Sequence, residues 1–210
     1  MTGIIAQNVG RTSGLIKAAS GGTSTGAWTK IKTLTASSDA TLSFVDGTDD
    51  VVLDSTYPIY VFKFINIHPE TDDQSFQVNF RDGGSAYDAT KTTTYFDATH
   101  GEDGGSAVLN YETGHDLAQS TGSQFLSEGI SNDADHGSSG TLHLYNPSDT
   151  TFVKHFICRS NGTRHSDISS DVFVAGYCNV TAAIDGVQFS MSSDNIDSGV
   201  IKLYGLKDSA

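Results

Sequence analysis

The stretch "PIYVFKFINI", residues 58–67, decides the fold. Ile59, Val61, Ile65 and Ile67 fall on one side of an alternating pattern and Tyr60, Phe62 and Phe64 on the other, with Lys63 as the single charged interruption. A repeat of two is that of a β-strand, and apolar residues on both sides predict a strand covered on both faces, in the middle of a sheet. Pro58 stands at the strand's entry, where a missing N–H does least harm.

The same alternation recurs outward from this segment. It is present in "SFQVNF" (75–80), "TLHLYN" (141–146), "TFVKHFIC" (151–158), "DVFVAGYCNV" (171–180), "VQFSMS" (187–192) and "GVIKLYGL" (199–206). In 151–158, Val153 and Ile157 oppose Phe152, Phe156 and Cys158. Turn-forming clusters of Gly, Asp, Asn and Ser separate these segments, among them "VDGTDD" (45–50), "RDGGSAYD" (81–88), "HGEDGGS" (100–106) and "NPSDTT" (146–151). The window 114–130 is interrupted by Gly122 and accommodates at most a turn of helix. The expected fold is therefore all-β, an antiparallel β-sandwich of jelly-roll type over residues 28–210.

Residues 1–27 read differently. Apolar side chains there form two short clusters, Ile4, Ile5 and Val9, then Leu15 and Ile16, and "AASGGTSTGA" (18–27) is small and polar. Such a tether buries too little apolar surface to offset its ordering entropy. We expect an N-terminal anchoring arm whose five apolar residues dock on another protein. The apolar runs are too short for an export signal.

Composition narrows the function classes. A formal charge of −13 over 210 residues, from 12 basic and 25 acidic side chains, repels phosphate backbones, so no nucleic-acid partner is expected. No apolar run approaches the ~18 residues of a membrane span, and no membrane insertion is expected. Cys158 and Cys178 lack the second pair of a zinc-thiolate set and read as buried thiols or a cross-strand disulfide.

Candidate chemistry is sparse. The seven histidines show no zinc-protease spacing; His143 lies opposite Leu142 and Leu144, and His155 falls on the side of Val153 and Ile157, which predicts structural roles. Two acidic turns cluster the oxygen ligands that calcium prefers: Asp46, Asp49, Asp50 and Asp54 in one, Asp133 and Asp135 with Asn132 and His136 in the other. Neither completes an EF-hand loop. Glu70, Glu102, Glu112 and Glu128 are the glutamates from which a glycosidase pair would be drawn. No G-x-S-x-G or phosphate loop is present, and the expectation is a protein that is not an enzyme and needs no cofactor or metal.

Read together, "GIIAQNVGRTSGLIKA" (3–18), "VVLDSTYPIYVFKFINIHPETDDQSFQVNF" (51–80), "YETGHDLAQST" (111–121), "SDTTFVKHFI" (148–157) and "FSMSSDNIDSGVIKLYGL" (189–206) resemble virion-associated structural proteins of marine tailed bacteriophages. The resemblance spans essentially the whole chain and carries no catalytic residue. It implies a capsid decoration protein of cement or head-fibre type, located in the virion and assembled in the host cytoplasm. A small tail fibre or carbohydrate-binding module is the alternative, with Tyr87, Tyr95 and Tyr111 as exposed rings toward a host-surface glycan. The implied partners are capsid or tail proteins and further copies of the chain, a trimer by analogy.

Overall fold

The computed structural model describes residues 28–207. They form twelve strands: β1 (Trp28–Asp39), β2 (Thr41–Val45), β3 (Ile59–Pro69), β4 (Gln74–Arg81), β5 (Lys91–Gly101), β6 (Ala107–Tyr111), β7 (Gln124–Ile130), β8 (Ser138–Tyr145), β9 (Lys154–Arg164), β10 (Ile168–Cys178), β11 (Gly186–Met191) and β12 (Ile196–Leu206). Among the described residues there is no helix, and every strand pairing is antiparallel. The all-β antiparallel expectation holds. The arm residues Ile4, Ile5, Val9, Leu15 and Ile16 lie outside the described residues.

The strands follow the order β1-β12-β3-β8-β9-β7-β4-β11-β2, and β10, β5 and β6 continue outward from β9. The first and last strands of that path, β1 and β2, are joined through Ala40 alone. A sheet whose two ends are separated by one residue must curl back on itself, and the result is a nearly closed, barrel-like sheet. One rung, Ile130↔Arg164, links β7 to β9.

β3 lies between β12 and β8, the interior position that its two apolar faces require. Tyr60, Phe62 and Phe64 point into the core. There Phe62 packs 5.2 Å from Phe44 of β2 and 5.5 Å from Phe189 of β11, and Phe64 lies 5.1 Å from Phe76 of β4. Rings from one side of the curled sheet thus meet rings from the other.

Two side chains leave the expected alternation. Ile65, placed by sequence on a buried face with Ile67, is exposed, because the register with β8 slips between Phe64 and Ile67 and Asn66 takes a left-handed φ of 49°. The bulge returns Ile67 to the core side. Phe152 is exposed rather than aligned with Phe156 and Cys158, since the Asp149 carboxylate accepts from the Thr151 and Phe152 amides and holds them in a turn before β9 starts. Cys158 and Cys178 are free and buried; burial pushes the Cys178 thiol up to about 12.

The interior also holds charge. Lys91 is fully buried, with its ammonium donating to Asn79 Oδ1 and the Ala89 carbonyl at 2.6 Å each. Burial lowers its pKa from 10.5 to about 8. Between those values the unfolded side chain holds more protons than the folded one, so the Lys91 contribution to stability rises with pH from about 8 toward 10.5. Buried acids oppose it: burial raises the Cys158 and Cys178 thiols, so their contribution falls above about 9, and it raises the Tyr60 and Tyr95 phenols, so theirs falls above about 10. The difference in urea midpoint between wild type and Lys91→Met isolates the lysine, because both proteins share the thiols and phenols, and it should move in favour of wild type between pH 8 and 10. A difference that does not change with pH would count against the buried ammonium.

Candidate functional site

Loops and strand ends around β7, β8 and β9 bring the polar side chains together. The turn after β7 is set by the His136 amide donating to the Asp133 carbonyl at 2.9 Å. The β9–β10 turn is set by the Asp167 amide donating to the Arg164 carbonyl at 3.1 Å, with Asp167 at a left-handed φ of 54°. Asp tolerates that conformation better than most residues. The two turns approach each other, placing His136 Nδ1 3.8 Å from Asp133 Oδ2 and Nε2 3.8 Å from Asp167 Oδ1. Among the described residues these three form a group whose potential ligand atoms lie within 4.8 Å of one another.

His68 adjoins the same end, 3.6 Å from Asp197 and 3.2 Å from the Asp133 carbonyl. With Asp135 and His136 it borders an open depression of about 490 Å³. One imidazole and two carboxylates make three protein ligands, the number that open zinc sites use, whereas calcium takes about six to eight oxygens.

The other acidic turn uses its carboxylates on its own backbone. Asp46 Oδ1 accepts from the Leu53 amide at 2.8 Å, and Asp54 Oδ1 accepts from the Thr56 amide at 2.7 Å; hydrogen bonding from the Thr56 side chain first, and from its amide second, lowers the Asp54 pKa. Asp49 and Asp50 both sit at left-handed φ, 50° and 66°, and Lys32 donates to the Asp49 carbonyl. Asp46, Asp49, Asp50, Asp54 and Asp135 do not belong to the convergent group; Asp133 does.

Behind the histidine end lies an ion network. Arg164, at the end of β9, bridges Asp97 Oδ2 of β5 at 2.5 Å and Glu128 Oε2 of β7 at 2.6 Å, and His115 stands 3.6 Å from Glu128. Asp97 is 1% exposed. Of the four glutamates singled out by sequence, Glu128 is neutralised here, while Glu70, Glu102 and Glu112 follow β3, β5 and β6 respectively. Asp97, Glu128 and Arg164 were not legible as a set, because β5, β7 and β9 each deliver one of them.

The outward face of the sheet is apolar in places. Phe96 and Phe173, cross-strand neighbours on β5 and β10, stack at 4.9 Å with rings 3° from parallel, and the Arg159 guanidinium caps Phe173 at 4.7 Å. Leu109, Tyr111 and Ile157 are exposed nearby, whereas Tyr95 is fully buried and Tyr87 half-buried. Trp28 packs edge-on against Tyr204 beneath the Lys63 ammonium. The outward placement of His143 agrees with the sequence pattern: Leu142 and Leu144 are buried, and burial together with nearby Lys63 lowers its pKa. Compared with protein-family models, curated proteins and solved structures, the chain matches none.

Proposed function

We propose that the protein is a non-enzymatic structural component of a bacteriophage virion. It decorates the capsid surface as a cement or head-fibre protein, and its N-terminal arm attaches it to a capsid protein. On this reading the curled sheet is a jelly-roll-like sandwich, with β2, β11 and β4 facing β12, β3 and β8. The observation that carries the reading is where the resemblance to marine phage virion proteins falls. Its most distinctive phrase, residues 189–206, covers the end of β11 and all of β12, whose Phe189, Met191, Ile196, Ile201 and Leu203 are core residues. That phrase of the resemblance therefore falls on residues that build the body.

Deleting residues 1–20 should leave a folded β-domain that no longer joins the particle, measured by the protein content of purified virions. A truncated protein that still assembles would remove the anchoring role. Copy number separates the locations: hundreds per particle mean capsid decoration, and a few to a few dozen mean tail.

A tail-fibre or glycan-binding reading is favoured by one observation, the exposed Tyr111 beside the stacked Phe96 and Phe173. Phe173 has both ring faces covered, by Phe96 and Arg159, so Tyr111 is the ring left to stack on a sugar. A glycan array read with wild type and Tyr111→Ala tests it, and an array without signal dismisses it.

A further inference from the structure

Among the described residues β6 is an edge strand, paired with β5 alone, and its open side can be read from the ladder. The Gly101 amide donates to the Ser106 carbonyl and the Glu112 amide to the Tyr95 carbonyl. Antiparallel rungs alternate, so Val108 and Asn110 turn their backbone groups toward β5, and Ala107, Leu109 and Tyr111 turn theirs to the open edge. All five β6 residues are exposed, none is charged, and Leu109 is 73% exposed. An uncharged, largely apolar edge whose outward donors and acceptors pair with none of the described residues is a template for another strand.

Charge and reach point to the occupant. All 25 acidic residues and ten of the twelve basic ones lie in 28–210, giving that part −15, while residues 1–27 carry Arg11 and Lys17 and no acid. The β6 edge is flanked by Glu102 and Asp103 on one side and Glu112 and Asp116 on the other. A basic segment is attracted there, whereas a second β6 edge would bring a like-charged body. "GIIAQNV" (3–9) is uncharged and apolar, followed by Arg11. β1, β12, β3, β8, β9, β10, β5 and β6 are consecutive neighbours, so Trp28 and β6 stand seven strand spacings apart, roughly 34 Å at about 4.8 Å each. The 18 residues between Val9 and Trp28 reach about 60 Å when extended. That is ample for the edge of the same molecule or of a neighbour.

We propose that Gly3–Val9 adds to the open edge of β6 as a further strand. This rests on the reading of residues 1–17 as a docking arm, and it names this chain's own β6 as one of the arm's partners. In the free protein the added strand covers apolar side chains that a particle protein would otherwise take up, so incorporation exchanges one partner for the other.

Hydrogen exchange on the full-length chain tests it. Every second amide of residues 3–9, and the amides of Ala107, Leu109 and Tyr111, should exchange at least about tenfold more slowly than unpaired ones. Leu109→Pro removes an edge-facing N–H and leaves the bonds to β5, so residues 3–9 should lose protection while β5 keeps its own. Leu109→Lys, which keeps the backbone intact, should act in the same direction by repelling Arg11. Deleting residues 1–9 should free the three edge amides, and raising salt should weaken the protection. Free exchange of residues 3–9 in the wild type overturns the proposal. Edge protection that survives the deletion, or that strengthens with salt, also overturns it by showing a second copy in that place. Free exchange at β6 together with failed incorporation of the arm-deleted protein would keep the anchoring role and remove this pairing.

Discussion

Replacing Arg164 by methionine is expected to lower the free energy of unfolding by about 3–5 kcal/mol. The guanidinium is the shared cation of Asp97 and Glu128. Glu128 is partly exposed and can regain water, but Asp97 is buried beneath the β5–β10 pairing, and its Oδ1 already lacks a hydrogen-bond partner. Methionine keeps much of the side chain's volume, so the cost falls on the stranded carboxylate and not on a cavity. The double variant Arg164→Met with Asp97→Asn should therefore recover part of the loss, because a neutral amide is cheaper to bury than an unpaired charge. Urea unfolding of the single and double variants measures both effects, and the deviation from additivity gives the coupling between the two groups. A single-variant loss under about 1 kcal/mol, or no recovery in the double variant, would show that the network contributes little.

The same network explains which strands sequence reading overlooks. β3, β4, β8, β9, β10, β11 and β12 carry alternating apolar residues, and each lies in or beside a segment quoted from the sequence. β5 does not, because its inward face is Lys91, Thr93, Tyr95 and Asp97, an interior row that looks like a surface one. β7 is hidden similarly, with Gln124 and Ser127 buried beside Leu126. β6 has no buried face at all, so no alternation of burial could mark it. Buried polar residues satisfy one another across strands distant in sequence, and their pairing is a property of the closed sheet. The acidic turns show the converse. Asp46 and Asp54 are conspicuous in sequence as possible calcium ligands, yet each carboxylate caps amides of its own loop, a local role with the same composition. Asp133 and His136 were legible as neighbours; Asp167, which completes their group, comes from another turn altogether.

Phe189→Ala is expected to cost about 3–5 kcal/mol and to lower the urea midpoint without changing the slope of the transition. The side chain is fully buried on β11, between β4 and β2. It touches rings from three strands: Phe76 stacked at 5.6 Å and 10°, Phe62 at 5.5 Å and Phe44 at 6.2 Å. Those contacts cross the interior, since Phe62 stands on β3 while Phe44 and Phe76 stand on strands beside β11. Removing the ring leaves a cavity that the other three cannot collapse into, because each is held by its own backbone ladder. Phe152→Ala is the matched control, an exposed ring of the same size whose loss should stay within about 0.5 kcal/mol. The pair of variants separates ring chemistry from position. If the two cost the same, the aromatic cluster is not what holds the two sides of the curled sheet together, and closure would have to come from the β1–β2 connection and the single β7–β9 rung.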